Sequence, residues 1–101
     1  MYRNDDLRRA IASLPCAECG IEGRTQHAHA NSLIWGKGRG IKAHDWAAFP
    51  LCADGPGYVG CHTKHDQYVN GLTKSERIDH EAMLIARTFG MLMERGLLKT
   101  V

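Results

Sequence analysis

The sequence predicts a small α+β domain braced by zinc, with a helix at each end and short strands between them. Three observations carry that expectation. Four cysteines stand as a close pair, Cys16 and Cys19, and a wider pair, Cys52 and Cys61. Apolar residues recur at helical spacing from Leu7 to Leu14 and again from Ile78 to Leu92. Between these stretches lie short, glycine-rich segments that hold the histidine pair His27 and His29. The 101 residues suffice for one domain over 1–101, with a core at about 16–70 and a last helix at about 73–95. A domain of this size buries a modest share of its surface, so a metal cross-link adds stability that a small core lacks.

Composition narrows the function classes. Hydrophobic residues at 44% and charged residues at 24% fit a soluble globule rather than a disordered chain. No run approaches the roughly 18 apolar residues of a membrane helix. The opening MYRNDDLRRA lacks the apolar centre of a signal peptide, so the expected location is the cytoplasm. Thiols stay reduced there, and four cysteines then point to metal rather than disulfides. The net charge of +2 is small, but its distribution is uneven. From Arg24 to His44 there is no Asp or Glu, while Arg24, Lys37, Arg39 and Lys42 supply positive charge. Such a strip suits a phosphate backbone, and equally a solvated loop.

Taken in order, Asn4 predicts a helix cap, with Asp5 and Asp6 in the first turn where the dipole favours acids. Leu7, Ile11 and Leu14 mark one buried face, and Pro15 ends the helix. Cys16 and Cys19, followed by Gly20, have the spacing of a zinc knuckle, in which a tight turn aims both sulfurs at one point. A redox dithiol would want a strand before it and a helix after it; here a helix precedes and the loop Gly20–Gly23 follows. Residues 25–30 alternate, which predicts a strand with His27 and His29 on the same face. Asn31–Trp35 continues as strand or becomes loop. Gly36 to Gly40 alternates glycine with Lys37 and Arg39, and with Lys42 forms a basic loop that phosphate can approach closely.

A helical turn is expected near Asp45–Ala48, then an extended run to Cys52, with Trp46, Phe49 and Leu51 in the core. The glycine-rich segment between Cys52 and Cys61 can fold back to bring the two thiols together. Residues 61–70 predict a helix ending before Gly71, with Tyr68 and Val69 packed. On it His62 and Asp66 share a face at i and i+4, and His65 lies close by. Thr73 and Glu76 form a capping box for the last helix. Its stripe is Ile78, Ala82, Ile85, Phe89 and Leu92, widened by Met83, Leu84 and Met91 and stopped by Gly96, with His80 and Glu81 expected in solvent. That stripe packs on the domain's own core or offers a homodimer face.

The order Cys-x-x-Cys, strand with histidine, basic glycine loop, then Leu51-Cys52 and Cys61-His62 to Asp66 resembles the HNH (His-Me finger, ββα-metal) endonucleases, in particular small phage and prophage members. The resemblance covers about residues 16–70. It implies a ββα-metal core that hydrolyses nucleic-acid phosphodiesters, DNA being the expected substrate, with one catalytic metal and a histidine base. His29 matches the general base, and His62 and Asp66 match the helix ligands of the catalytic metal. Asp45, or His44, falls at the middle position that braces the base. Three departures stand out. Ala28 occupies a position where many members carry a metal ligand; His27 is the substitute there, or the metal has two protein ligands plus water and phosphate, while His65 is second choice to Asp66 on spacing. The middle residue is not Asn, and the gap between Cys52 and Cys61 is long.

Mixed nitrogen and oxygen ligation admits Mg²⁺, Mn²⁺, Ni²⁺ or Zn²⁺ at the catalytic site. The four cysteines imply a separate structural Zn²⁺. Lys37, Arg39 and Lys42 are the expected contacts to the nucleic-acid backbone. The alternative is a non-catalytic zinc-ribbon module that binds nucleic acid; it leaves His29, His62 and Asp66 without a task.

Overall fold

The fold is organised on an antiparallel two-stranded sheet, β1 (Thr25–His29) and β2 (Ala48–Cys52), paired from Thr25 opposite Cys52 to His29 opposite Ala48. A computed structural model describes residues 2–36, 43–67 and 71–98. Helix α1 (Asp5–Ala12) precedes the sheet, α2 (Cys61–Asp66) and α3 (Lys74–Glu94) follow it, and Leu33–Trp35 forms one turn of 3₁₀ helix between the strands. The chain is therefore a small α+β domain. Among the described residues no helix is long and apolar enough to cross a membrane.

β2 is buried along its whole length, which explains why Ala-Phe-Pro-Leu-Cys shows no alternation of polarity. Phe49, Leu51, Ala28 and Ala30 form one core with Leu84 and Ile85 of α3. Ile11, Leu14, Ala48 and Leu92 form a second cluster under α1. Pro50 cannot donate to a ladder, and its carbonyl instead accepts the Ala17 amide at 2.8 Å. That bond docks the first cysteine turn against the outer edge of β2.

Asn4 caps α1 through its side chain, which accepts the Leu7 amide at 2.9 Å. The capping box of Thr73 and Glu76 opens α3. Several expectations need correction. α1 ends at Ala12, before Pro15, because Ser13 already caps it; Leu14 is buried beyond the helix end. Asn31–Trp35 is neither strand nor plain loop, since Leu33–Trp35 winds into 3₁₀ helix. Trp46 is not core but 37% exposed, stacked on the His44 ring at 5.3 Å.

The buried side of α3 is Glu81, Leu84, Ile85, Thr88 and Leu92, rotated from the apolar stripe, so Ala82 and Met83 face solvent. Polar residues enter this face because their bonds are met: the Thr88 hydroxyl donates to the Leu84 carbonyl at 2.7 Å, and Glu81 has several partners. α2 ends at Asp66, capped by Gln67, short of the expected 61–70; Tyr68 and Val69 lie outside the described residues, as does the basic loop from Lys37 to Lys42.

Candidate functional site

The four cysteines converge. The Cys16–Cys19 turn closes through the Gly20 amide on the Cys16 carbonyl and the Cys16 amide on the Ile21 carbonyl, both at 2.9 Å. The second pair meets because the chain folds back at Gly60. A Cβ there would lie 2.4 Å from the carbonyl carbon of Ala53 and the carbonyl oxygen of Cys52, so only glycine fits. The Cys61 amide then points at the Cys52 sulfur at 3.3 Å. All four sulfurs lie within 4.8 Å of one another, and Cys19 and Cys52 are 3.8 Å apart. A tetrahedral zinc with Zn–S of about 2.3 Å requires sulfur separations of about 3.8 Å.

Electrostatics agree with a metal site. Burial, and then the neighbouring thiols, push the Cys61 thiol far up. Burial pushes the Cys16 thiol up as well, but backbone amides of Cys19, Cys52 and Glu18 outweigh it and hold the thiol below its usual value. Four thiolates so close together need a cation among them. These cysteines can therefore hold a structural metal such as zinc.

The second assembly sits on β1. His27 and His29 project from the same face and meet edge to face, with ring centroids 4.6 Å apart. His29 Nε2 lies 3.0 Å from Asp45 Oδ1, and His27 Nε2 lies 3.0 Å from the Asp45 carbonyl. Asp45 has no exposed surface. Its Oδ2 accepts the Asn4 amide at 2.7 Å and its Oδ1 accepts from Arg3 at 3.0 Å. Burial drives its carboxyl pKa up, but the Asn4 amide, His29 and Arg3 together hold it below the usual carboxylate range. An ionised Asp45 accepts Nε2–H from His29, which places the ring's lone pair on Nδ1. Burial pushes the His27 pKa down, and His27 Nδ1 is a buried atom with no hydrogen-bond partner. Donor atoms of His27, His29 and Asp45 lie within 4.8 Å and can hold a cation, although Arg3 already shares the Asp45 oxygen that such an ion would take.

The third assembly joins α2 to β1. His62 Nδ1 is 2.8 Å from the Gln26 side-chain oxygen, and Asp66 Oδ1 accepts from the Asn31 side-chain amide at 3.1 Å. The Gln26 oxygen can only accept, so His62 donates from Nδ1, and in the neutral ring the lone pair is then on Nε2. That lone pair lies 3.4 Å from Asp66 Oδ2. Two electron-pair donors facing each other at this distance, with their remaining atoms held by neighbouring side chains, fit a shared cation.

His65 turns the other way. It is 9% exposed, lies edge-on to Phe49, and has Nε2 3.3 Å from the His29 carbonyl and 3.5 Å from Glu81. Burial pushes its pKa down, with Glu81 and Asp66 opposing.

The structure thus brings Cys16, Cys19, Cys52 and Cys61 together, and His29 with Asp45 and His27. It pairs His62 with Asp66. Among the described residues that pair does not join either histidine of β1 in one set of three donors. Gln26, which holds His62, alternates along the strand with His27 and His29, which meet Asp45. Sequence reasoning missed Arg3, Gln26, Asn31 and Glu81. The only local signal was Asn4, read as a cap, whose backbone amide also serves Asp45. Compared with protein families, curated proteins and solved structures, the chain gives no match.

Proposed function

We propose that the chain is a metal-dependent endonuclease that hydrolyses nucleic-acid phosphodiester bonds, with DNA the expected substrate, on a zinc-braced ββα-metal scaffold. The observation that carries the reading is the approach of His62 Nε2 and Asp66 Oδ2, 3.4 Å apart on successive turns of α2, two groups that can share a cation. A divalent cation bound there supplies Lewis-acid stabilisation of the phosphate and of the leaving 3′ oxygen. His29 Nδ1 takes the proton of the attacking water. Asp45 fixes the His29 tautomer and stabilises the imidazolium that forms, and Arg3 and the Asn4 amide keep Asp45 ionised. Lys37, Arg39 and Lys42 supply charge to the nucleic-acid backbone. The four cysteines hold a structural zinc that ties the start of α2 to the end of β2.

The reading is tested by incubating zinc-loaded protein with supercoiled plasmid and Mg²⁺, Mn²⁺ or Ni²⁺. Nicking is expected, reduced about 100-fold or more by His62→Ala or Asp66→Asn, a loss in the range of a removed catalytic electrostatic contact. A second reading, a zinc-ribbon nucleic-acid-binding module, draws on the separation of the His62–Asp66 pair from the His29–Asp45 pair. DNA binding without cleavage in any of these metals would favour the module and refute the nuclease.

A further inference from the structure

Of the acids on α3, Glu76, Asp79 and Glu94 are exposed, whereas Glu81 retains 2% exposure. A carboxylate is costly to bury unless its lone pairs are used. Here they are used on one short stretch of chain. Oε2 accepts the Asn31 amide at 2.5 Å, and Oε1 accepts the Ser32 amide at 3.2 Å and the Ser32 hydroxyl. His65 Nε2, 3.5 Å from Oε2, also approaches the His29 carbonyl at 3.3 Å. Every one of these groups belongs to the chain directly after β1 or to α2. The Asn31 side chain then donates to Asp66 Oδ1, which leaves Oδ2 turned toward His62.

We propose that Glu81 is a positioning residue for the cation pair His62 and Asp66: its buried carboxylate pins the backbone of Asn31 and Ser32, and Asn31 in turn orients the Asp66 carboxylate. The inference rests on the reading of His62 and Asp66 as a divalent-cation site, and it assigns α3 a part in that site. Only a carboxylate suits the position. Its two oxygens accept from two successive amides at once, whereas a glutamine offers one acceptor and turns an NH₂ group on the other amide. An apolar residue would leave both amides buried without partners.

The test uses zinc-loaded protein titrated with Mn²⁺, with free Mn²⁺ read from its electron paramagnetic resonance signal. Wild-type protein should bind Mn²⁺, and His62→Ala should abolish that binding. Glu81→Gln should keep its zinc and its circular dichroism yet bind Mn²⁺ about tenfold or more weakly, the effect typical of losing a partner behind a metal ligand. Asn31→Ala keeps the backbone amides that Glu81 holds and removes the side-chain bond to Asp66. It should show the same loss at an unchanged melting temperature, and it decides the matter if Glu81→Gln does not fold. Unchanged Mn²⁺ affinity in Asn31→Ala, or in folded Glu81→Gln, would overturn the positioning role while leaving the cation pair intact. Wild-type protein that binds no Mn²⁺ at His62 would overturn the pair and this proposal with it.

Discussion

Asp45 has no exposed surface and several partners in the chain. Its carboxylate is shared by His29, Arg3 and the Asn4 amide, three partners contributed from two distant stretches. In the proposed mechanism Asp45→Asn should lower cleavage about 100-fold or more, within the range of general-base effects, while zinc content is unchanged. His27 supplies a pH test. Burial lowers its folded pKa below 6.5, the value of the unfolded residue. As pH falls through about 6.5 the unfolded chain therefore takes up a proton that the folded chain refuses, and stability drops; above that pH the contribution is complete. Melting temperature should fall below about pH 6.5, and less steeply in His27→Gln. Parallel profiles would remove His27 from that account. The cysteines and Asn4 were legible at this scale because their signals are local. The partners of Asp45 and Glu81 were not, because Arg3 stands 42 residues from Asp45 and Asn31 stands 50 from Glu81.

At the scale of elements, legibility followed caps and alternation. Thr73 and Glu76 announced α3, and both halves of that capping box are formed. Thr73→Ala should cost about 1 kcal/mol, measured by denaturant unfolding. β1 was legible from its alternation; its pairing with β2 was not, because β2 is buried on both faces and carries no period to read. The apolar stripe found Leu84, Ile85 and Leu92 on the buried face of α3 but misplaced Ala82 and Met83 and missed Glu81 and Thr88, for a physical reason. Glu81 and Thr88 satisfy their polar atoms inside the fold, so hydrophobicity did not mark the buried side. Trp46 was misplaced because its size suggests burial, whereas a ring stacked on His44 can stay exposed. Phe49, by contrast, is fully buried between the sheet and His65, and Phe49→Ala should cost about 3–5 kcal/mol in the same unfolding measurement.

At the scale of the whole molecule, two ties, besides the sheet and the Glu81 bonds, join distant stretches of the chain. One is the strap of residues 2–4 across residues 43–45, where Tyr2 accepts the Asp45 amide at 3.0 Å and Arg3 reaches the Ala43 carbonyl at 2.5 Å. The other is the cysteine cluster, which joins the turn after α1 to the end of β2 and the start of α2. A structural zinc contributes on the order of 10 kcal/mol to a small metallo-domain, as much as the whole net stability of many domains. Stripping it with a strong chelator should therefore unfold the chain, seen as cooperative loss of helical circular dichroism, and returning zinc should restore it.

The fold class and the cysteine site were readable from spacing alone. The nuclease reading rests on residues that the resemblance selected and that the fold sets in two groups, His29 with Asp45 and His62 with Asp66. The measurement that tests it most directly is plasmid cleavage by His29→Ala beside wild type, both zinc-loaded and matched in circular dichroism, with Mn²⁺ present. The account predicts nicking by the wild type and its loss in the variant, with zinc still bound. Nicking at the same rate in both, or by neither in any divalent metal tried, would contradict it.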